Sequence, residues 1–176
     1  MTMTPRLRKF SLTVHVTSSV GWLGAVVVFL ALAVIGLTSR DAQTVRGSYL
    51  VMEPVAWFVL VPLSLSSLLS GLVQSLGSRW GLFQHYWVLF KLLINVLATI
   101  VLLMYMQTLD YLAGVAAETT LSNGDLSGLR SPSPLVHAGA ALLLLLVATT
   151  LSVYKPRGLT RYGSQKQYAQ RPVSPQ

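Results

Sequence analysis

The sequence predicts an all-α protein, a bundle of four transmembrane helices with both termini on the cytoplasmic side. Three observations carry that reading. Of 176 residues, 53% are hydrophobic and only 10% charged, whereas a soluble domain carries about 25% charged residues. The charges are also segregated. Thirty residues between Lys9 and Arg40 hold His15 as their one titratable side chain, and the twenty-five between Glu53 and Arg79 hold none. Eighteen separate Lys91 from Asp110, and twenty-four separate Arg130 from Lys155 with His137 between them. Roughly 20 residues cross a hydrocarbon core of about 30 Å, so each stretch can span a bilayer. The third observation is the asymmetry of Lys and Arg. The N-terminal segment, Arg79 and the tail carry nine, and the opposite side carries only Arg40, Arg46 and Arg130. By the positive-inside rule the richer side is cytoplasmic.

The predicted spans cover 10–37, 51–76, 86–109 and 135–154. Arg6, Arg8 and Lys9 ahead of the first apolar run resemble the start of a secretory leader. The run is about twice the length of a leader core, however, and Thr38-Ser39-Arg40-Asp41 offers no small-x-small cleavage site. The second helix is expected to start around Glu53-Pro54, with Pro62 freeing the Phe58 carbonyl and kinking it near the bundle centre. Ser133-Pro134 marks the start of the fourth. The 110–134 segment is the one long connection, with Asn123-Gly124-Asp125 and Ser131-Pro132-Ser133-Pro134 read as turns facing outward. Residues 1–154 form a single domain. Residues 155–176 are a basic cytoplasmic tail expected to be disordered, with five positive and no negative side chains. Such a tail can lie on anionic lipid at about 1 kcal/mol per basic residue.

The net charge of +8 is thereby a topology signal and not a nucleic-acid footprint. The chain has no cysteine, which excludes disulfides, thiolate metal sites, iron-sulfur clusters and cysteine nucleophiles. No Ser-His-Asp, paired-carboxylate, phosphate-loop or zinc-ligand spacing is present, so no catalytic residue is assigned.

Ionisable groups within spans are the default functional candidates, because a charge in hydrocarbon is costly. They fall in two layers. His15 and Lys91 lie within about two turns of the cytoplasmic surface, joined by His85 at the mouth of the third helix. Glu53 and His137 lie near the outer surface, with Met52 and Met104 as neighbouring soft donors. Each also has a plain structural reading: Lys91 can snorkel to the headgroups, and Glu53 and His137 can act as helix-start residues. On a helical projection His15 shares a face with Ser18, Ser19 and Trp22, beside a stripe of Gly21, Gly24 and Ala25. Lys91 shares one with Trp87, Asn95, Ala98 and Leu102. Glu53 goes with Trp57, Ser64, Ser67 and Gly71, and His137 with Ala140, Ala141, Leu144 and Ala148. Small and polar faces pack against helices, so all four candidates are expected to point inward, whether for a site or for packing alone.

His15 with Val20-Gly21-Trp22-Leu23-Gly24-Ala25, Ser70-Gly71-Leu72-Val73, Trp80-Gly81-Leu82, Trp87-Val88-Leu89-Phe90-Lys91, Val136-His137-Ala138-Gly139 and Tyr154-Lys155-Pro156-Arg157-Gly158 resemble an uncharacterised family of small bacterial four-span membrane proteins. The resemblance covers roughly residues 8–162. The His plus Trp-Leu-Gly and Trp-x-x-x-Lys segments are more distantly similar to the copper-resistance D membrane domain and the HemJ-type protoporphyrinogen oxidases. That resemblance implies a first-helix histidine and a third-helix lysine as the site, here His15 and Lys91. Residues 26–36 are wholly apolar, a departure from the HemJ-type pattern of further basic and histidine residues.

Two functional classes follow. The leading expectation is a bacterial plasma-membrane protein that binds haem b through His15, Lys91 and His85, for redox chemistry or haem handling. Helical bundles with inward imidazoles suit axial ligation. One iron cannot be shared by His15 and His137, which sit near opposite surfaces. The alternative is a non-enzymatic transport, copper-handling or subunit-interaction protein, with Met52, Glu53, Met104 and His137 as the metal set. Expected partners are the bilayer, anionic lipid at the tail, and a second copy or another membrane subunit.

Overall fold

The computed structural model describes residues 3–77, 81–118, 123–156 and 158–169, with the side chains of 123–125 and 166–169 excepted. Every element among them is helical: α1 (Pro5–Thr38), α2 (Ala42–Val55), α3 (Val61–Gly77), α4 (Tyr86–Ala117), α5 (Asn123–Leu129), α6 (Ser133–Tyr154) and α7 (Arg161–Ala169), with a π-helical turn at Ala56–Leu60 joining α2 to α3. Four runs are long and apolar enough to cross a membrane: Pro5–Thr38, Ala42–Gly77, Tyr86–Ala117 and Leu126–Tyr154. α1 packs against α2, α3 and α6, while α4 packs against α2, α3 and α6. The four spans thus close a square in which consecutive helices are neighbours.

The exterior is apolar and the interior holds small polar residues. Phe10, Phe58, Leu143 and Val153 are exposed, whereas Ser64 and Ser67 are buried. That inversion suits lipid outside and close helix approach inside. The core is built by Trp22, Val26, Phe29 and Ala33 of α1, Tyr49 and Met52 of α2, and Tyr105, Met106 and Leu109 of α4.

The helices run further than the charge-free stretches. α2 starts at Ala42 and not near 51, because Asp41 caps it: Oδ2 accepts from the Thr44 amide at 2.8 Å and from its hydroxyl at 2.6 Å. Glu53 and Pro54 consequently lie inside the second span and not at its start, which removes the capping role for Glu53. α4 continues to Ala117, eight residues past the expected 109. Charged residues in these extensions are satisfied locally. Arg46 donates to the Ala117 carbonyl at 2.9 Å, and Asp110 accepts from Trp57 Nε1 at 2.9 Å. Asn123-Gly124-Asp125, expected as a turn, opens α5. The Tyr49 hydroxyl donates to the Leu129 carbonyl, tying α5 to α2, and Arg130 donates to the Ser39 and Arg40 carbonyls at the end of α1.

Pro62 does interrupt the second span, and the helix accommodates it by widening. The Val61 amide donates to the Ala56 carbonyl, one residue further back than in an α-helix. The buried line therefore runs Met52, Ala56, Leu60, Ser64, Ser67, and a face projected from Glu53 at 100° per residue loses phase across the turn. Trp57 on that projected face is exposed.

Within the tail expected to be disordered, the described residues 158–169 include a bridge and a short helix. An antiparallel bridge pairs His85 with Leu159. Thr160 donates its amide to the Gln84 carbonyl at 3.0 Å and its hydroxyl to the Phe83 carbonyl at 2.5 Å, after which α7 begins. Residues 170–176 lie outside the described residues.

Candidate functional site

His15 lies three turns into α1, held against α3. Its Nδ1 is 3.1 Å from the Ser67 carbonyl and 3.2 Å from Ser70 Oγ. A carbonyl only accepts, so Nδ1 carries the proton and the Ser70 hydroxyl points its own hydrogen to the Ser66 carbonyl at 2.5 Å. The Nδ1–H tautomer leaves Nε2 as a lone-pair donor, the arrangement in which histidine ligates metals. Gly71 makes room for the ring: a Cβ there would lie 3.1 Å from His15 Cε1. One turn further along α1, Ser19 Oγ and Ser67 Oγ share a hydrogen bond of 2.8 Å.

Lys91 of α4 meets His15 across two adjoining cavities. One, of about 640 Å³, lies between α1, α3 and α4 and includes Arg8, His15, Gly71, Gln74, Trp87 and Lys91. The other, of about 510 Å³, lies between α1, α3, α4 and α6 and includes His15, Ser67, Gln74, Lys91, Asn95 and Lys155. The Lys91 ammonium sits 5.9 Å from the centre of the Trp87 ring, within cation–π range. Among the described residues, neither cavity is lined by an acidic side chain. The five acidic residues of the chain occur only at 41–53 and 110–125, at the other end of the bundle. The Gln74 Nε2 amide is buried with no hydrogen-bond partner among the described residues.

The structure thus brings His15 and Lys91 together, with Trp87 and Asn95 on the face expected for Lys91. His85 lines neither cavity. It precedes α4, is engaged through its backbone with Leu159, and places its ring 6.4 Å from that of Trp87. Arg8, Gln74 and Lys155 are additional members of the site.

The outer set is dispersed. Met52 is completely buried, Met104 is 71% exposed, and Glu53 is half-buried. The projected face of His137 is also displaced. The buried line of α6 is Pro134, Ala138, Leu145, Ala148, and His137 itself is exposed. Its ring stacks on Tyr105 with centroids 4.0 Å apart and planes inclined at 21°. Nδ1 donates to the Ser133 carbonyl at 2.9 Å, and the Tyr105 hydroxyl donates to Ser133 Oγ at 3.1 Å. An apolar cavity of about 190 Å³ lies beside this pair, lined by Trp22, Val26, Leu102 and Leu144 among others. Among the described residues no three of His, Cys, Asp and Glu cluster closely enough to hold a metal ion. From Lys155 back to His137 is eighteen residues, about 27 Å of helix, so the two polar layers are separate.

The geometry defines a protein that is helical throughout its described elements, with four helices long and apolar enough to span a membrane and a cationic, histidine-bearing cavity at the end where α1 and α4 begin. Comparison with protein families, curated proteins and solved structures finds no match to this chain.

Proposed function

We propose that this is a multi-pass protein of the bacterial plasma membrane, with both termini cytoplasmic, that binds haem b in the cavity beside His15 for redox chemistry or haem handling. The observation that carries the reading is the fixed imidazole. Nδ1–H on the Ser67 carbonyl orients the ring and leaves Nε2 as the atom that would hold the iron. The surroundings suit the rest of the group. Leu12, Leu68 and Leu92 offer apolar walls, and Arg8 and Lys91 offer cations for two propionates. When bound, haem supplies a one-electron couple, its potential set by the axial ligand and the surrounding dielectric. The chain's contribution is to hold the imidazole, neutralise the carboxylates and exclude water. The site offers one imidazole, so His85 is not a second ligand in this reading.

The dispersal of Met52, Glu53, Met104 and His137 gives copper handling no comparable support. The test is the visible absorption spectrum of protein purified in mild detergent, with haem and copper contents measured. A Soret band with haem in equal amount to protein is expected. A colourless protein from haem-replete cells overturns the assignment.

A further inference from the structure

The apolar cavity of about 190 Å³ beside Tyr105 and His137 shares no lining residue with the two cavities around His15. Its floor is Trp22, Val26 and Phe29 of α1 together with Leu60 at the end of the π-helical turn, all four buried. Ala98 of α4 and Ala138 and Ala141 of α6 line it where longer side chains would close it. On the far side Leu97 and Val101 of α4 are 48% and 40% exposed, and Ala140 of α6 is exposed as well. The cavity therefore opens sideways between α4 and α6, on the apolar surface that meets lipid. Apolar voids of this kind stay dry, and an engineered cavity of about 150 Å³ lined by Leu, Ile and Phe holds benzene. The space fits one six-membered ring.

The rim carries hydrogen-bonding chemistry that an apolar filling leaves unused. His137 Nδ1 donates to the Ser133 carbonyl at 2.9 Å, so Nε2 is the lone-pair nitrogen, and it has no hydrogen-bond partner among the described residues. The Tyr105 hydroxyl commits its one proton to Ser133 Oγ at 3.1 Å. Its ring, stacked on the imidazole at 4.0 Å, keeps that imidazole from turning. Both rim side chains thus present acceptors, and the missing partner is a donor.

We propose that this cavity binds a membrane-soluble hydroquinone, its ring seated between α1, α4 and α6, one hydroxyl donating to His137 Nε2 and its aliphatic tail leaving through the opening into lipid. The volume takes a single ring, the rim calls for a hydroxyl, and the lateral opening admits a ligand that arrives through the bilayer. The inference is independent of haem ligation by His15. Equilibrium binding to the full chain in phosphatidylcholine nanodiscs under argon tests it, with tritiated decyl-1,4-hydroquinone, its dimethyl ether and decylbenzene as probes. The hydroquinone is expected to bind about fivefold more tightly than the ether, the factor that one net hydrogen bond contributes. His137→Phe keeps a ring to stack on Tyr105 and removes Nε2, and should bring the hydroquinone to the level of the ether. Ala141→Leu fills the space and should abolish saturable binding. Equal affinity for hydroquinone and ether, tighter binding of decylbenzene, indifference to His137→Phe, or saturable binding that survives Ala141→Leu overturns the proposal. Because binding is counted by radioactivity and not by absorbance, its failure is distinct from absence of haem.

Discussion

Gly24 and Gly71 are both glycines within helices, yet only one is needed as glycine. A Cβ at Gly71 meets the His15 ring at 3.1 Å, whereas at Gly24 nothing lies within 4 Å. The ring cannot easily yield, since its Nδ1 is bonded to Ser67 and Ser70. Gly71→Val should therefore cost about 1–3 kcal/mol by overpacking and displace the imidazole. Gly24→Ala should be neutral or stabilising by up to about 1 kcal/mol. Thermal unfolding of both variants in detergent checks this, and equal melting temperatures would contradict the ring placement. The pairing of His15 and Lys91 was legible because both lie toward the same end of their spans, six residues after Lys9 and twelve after Arg79, and each carries a helical face of small or polar residues. Arg8 and Lys155 were not, because in the sequence they count only as topology charges. Gln74 lacked even a charge to draw notice, and His85 was misjudged because a backbone strap holds it outside the cavity.

The ends of the spans show where reading by charge-free runs falls short. Such runs mark only what must sit in hydrocarbon, and α2 and α4 continue beyond it with Arg46 and Asp110 bonded to neighbouring helices. Asp41 was not read as a cap, because the start of the second helix was placed near Glu53-Pro54. This cap has a pH signature. Hydrogen bonds from the Thr44 hydroxyl and amide hold the Asp41 carboxyl below its ordinary 3.8. The unfolded chain takes up its proton first as pH falls, so the cap's contribution is complete above 3.8 and lost as pH drops through the lower folded value. Amide exchange at Thr44 and Val45 should accelerate in that acidic window in the native protein. Asp41→Asn keeps an acceptor but cannot titrate, and should remove the pH dependence. The same acid response in both proteins would contradict the cap. The π-helical turn had only Pro62 to announce it, and a proline does not say whether a helix bends or widens.

At the scale of the whole molecule, two features reinforce each other. In the sequence the acidic residues fall only at 41–53 and 110–125, and nine of thirteen basic residues fall at 6–9, 79 and 155–171. The same segregation that predicts the orientation leaves the cavities around His15 lined by Arg8, Lys91 and Lys155. A cysteine introduced at position 125 should be labelled by a membrane-impermeant reagent only from outside. Labelling only from the cytoplasm would reverse the orientation and move the cavity to the outer leaflet. The bundle was legible from composition and charge spacing, whereas the two cavities were not, because cavities arise from how four helices meet and no single helix encodes them.

The most direct test is the visible spectrum of His15→Ala compared with His137→Ala, each purified in mild detergent and shown to be monodisperse. His15→Ala is expected to lose or shift the Soret band while His137→Ala, about 27 Å of helix from Lys155, keeps it unchanged. A Soret band untouched by His15→Ala would contradict ligation by this residue, and loss in His137→Ala alone would place the site at the opposite end of the bundle.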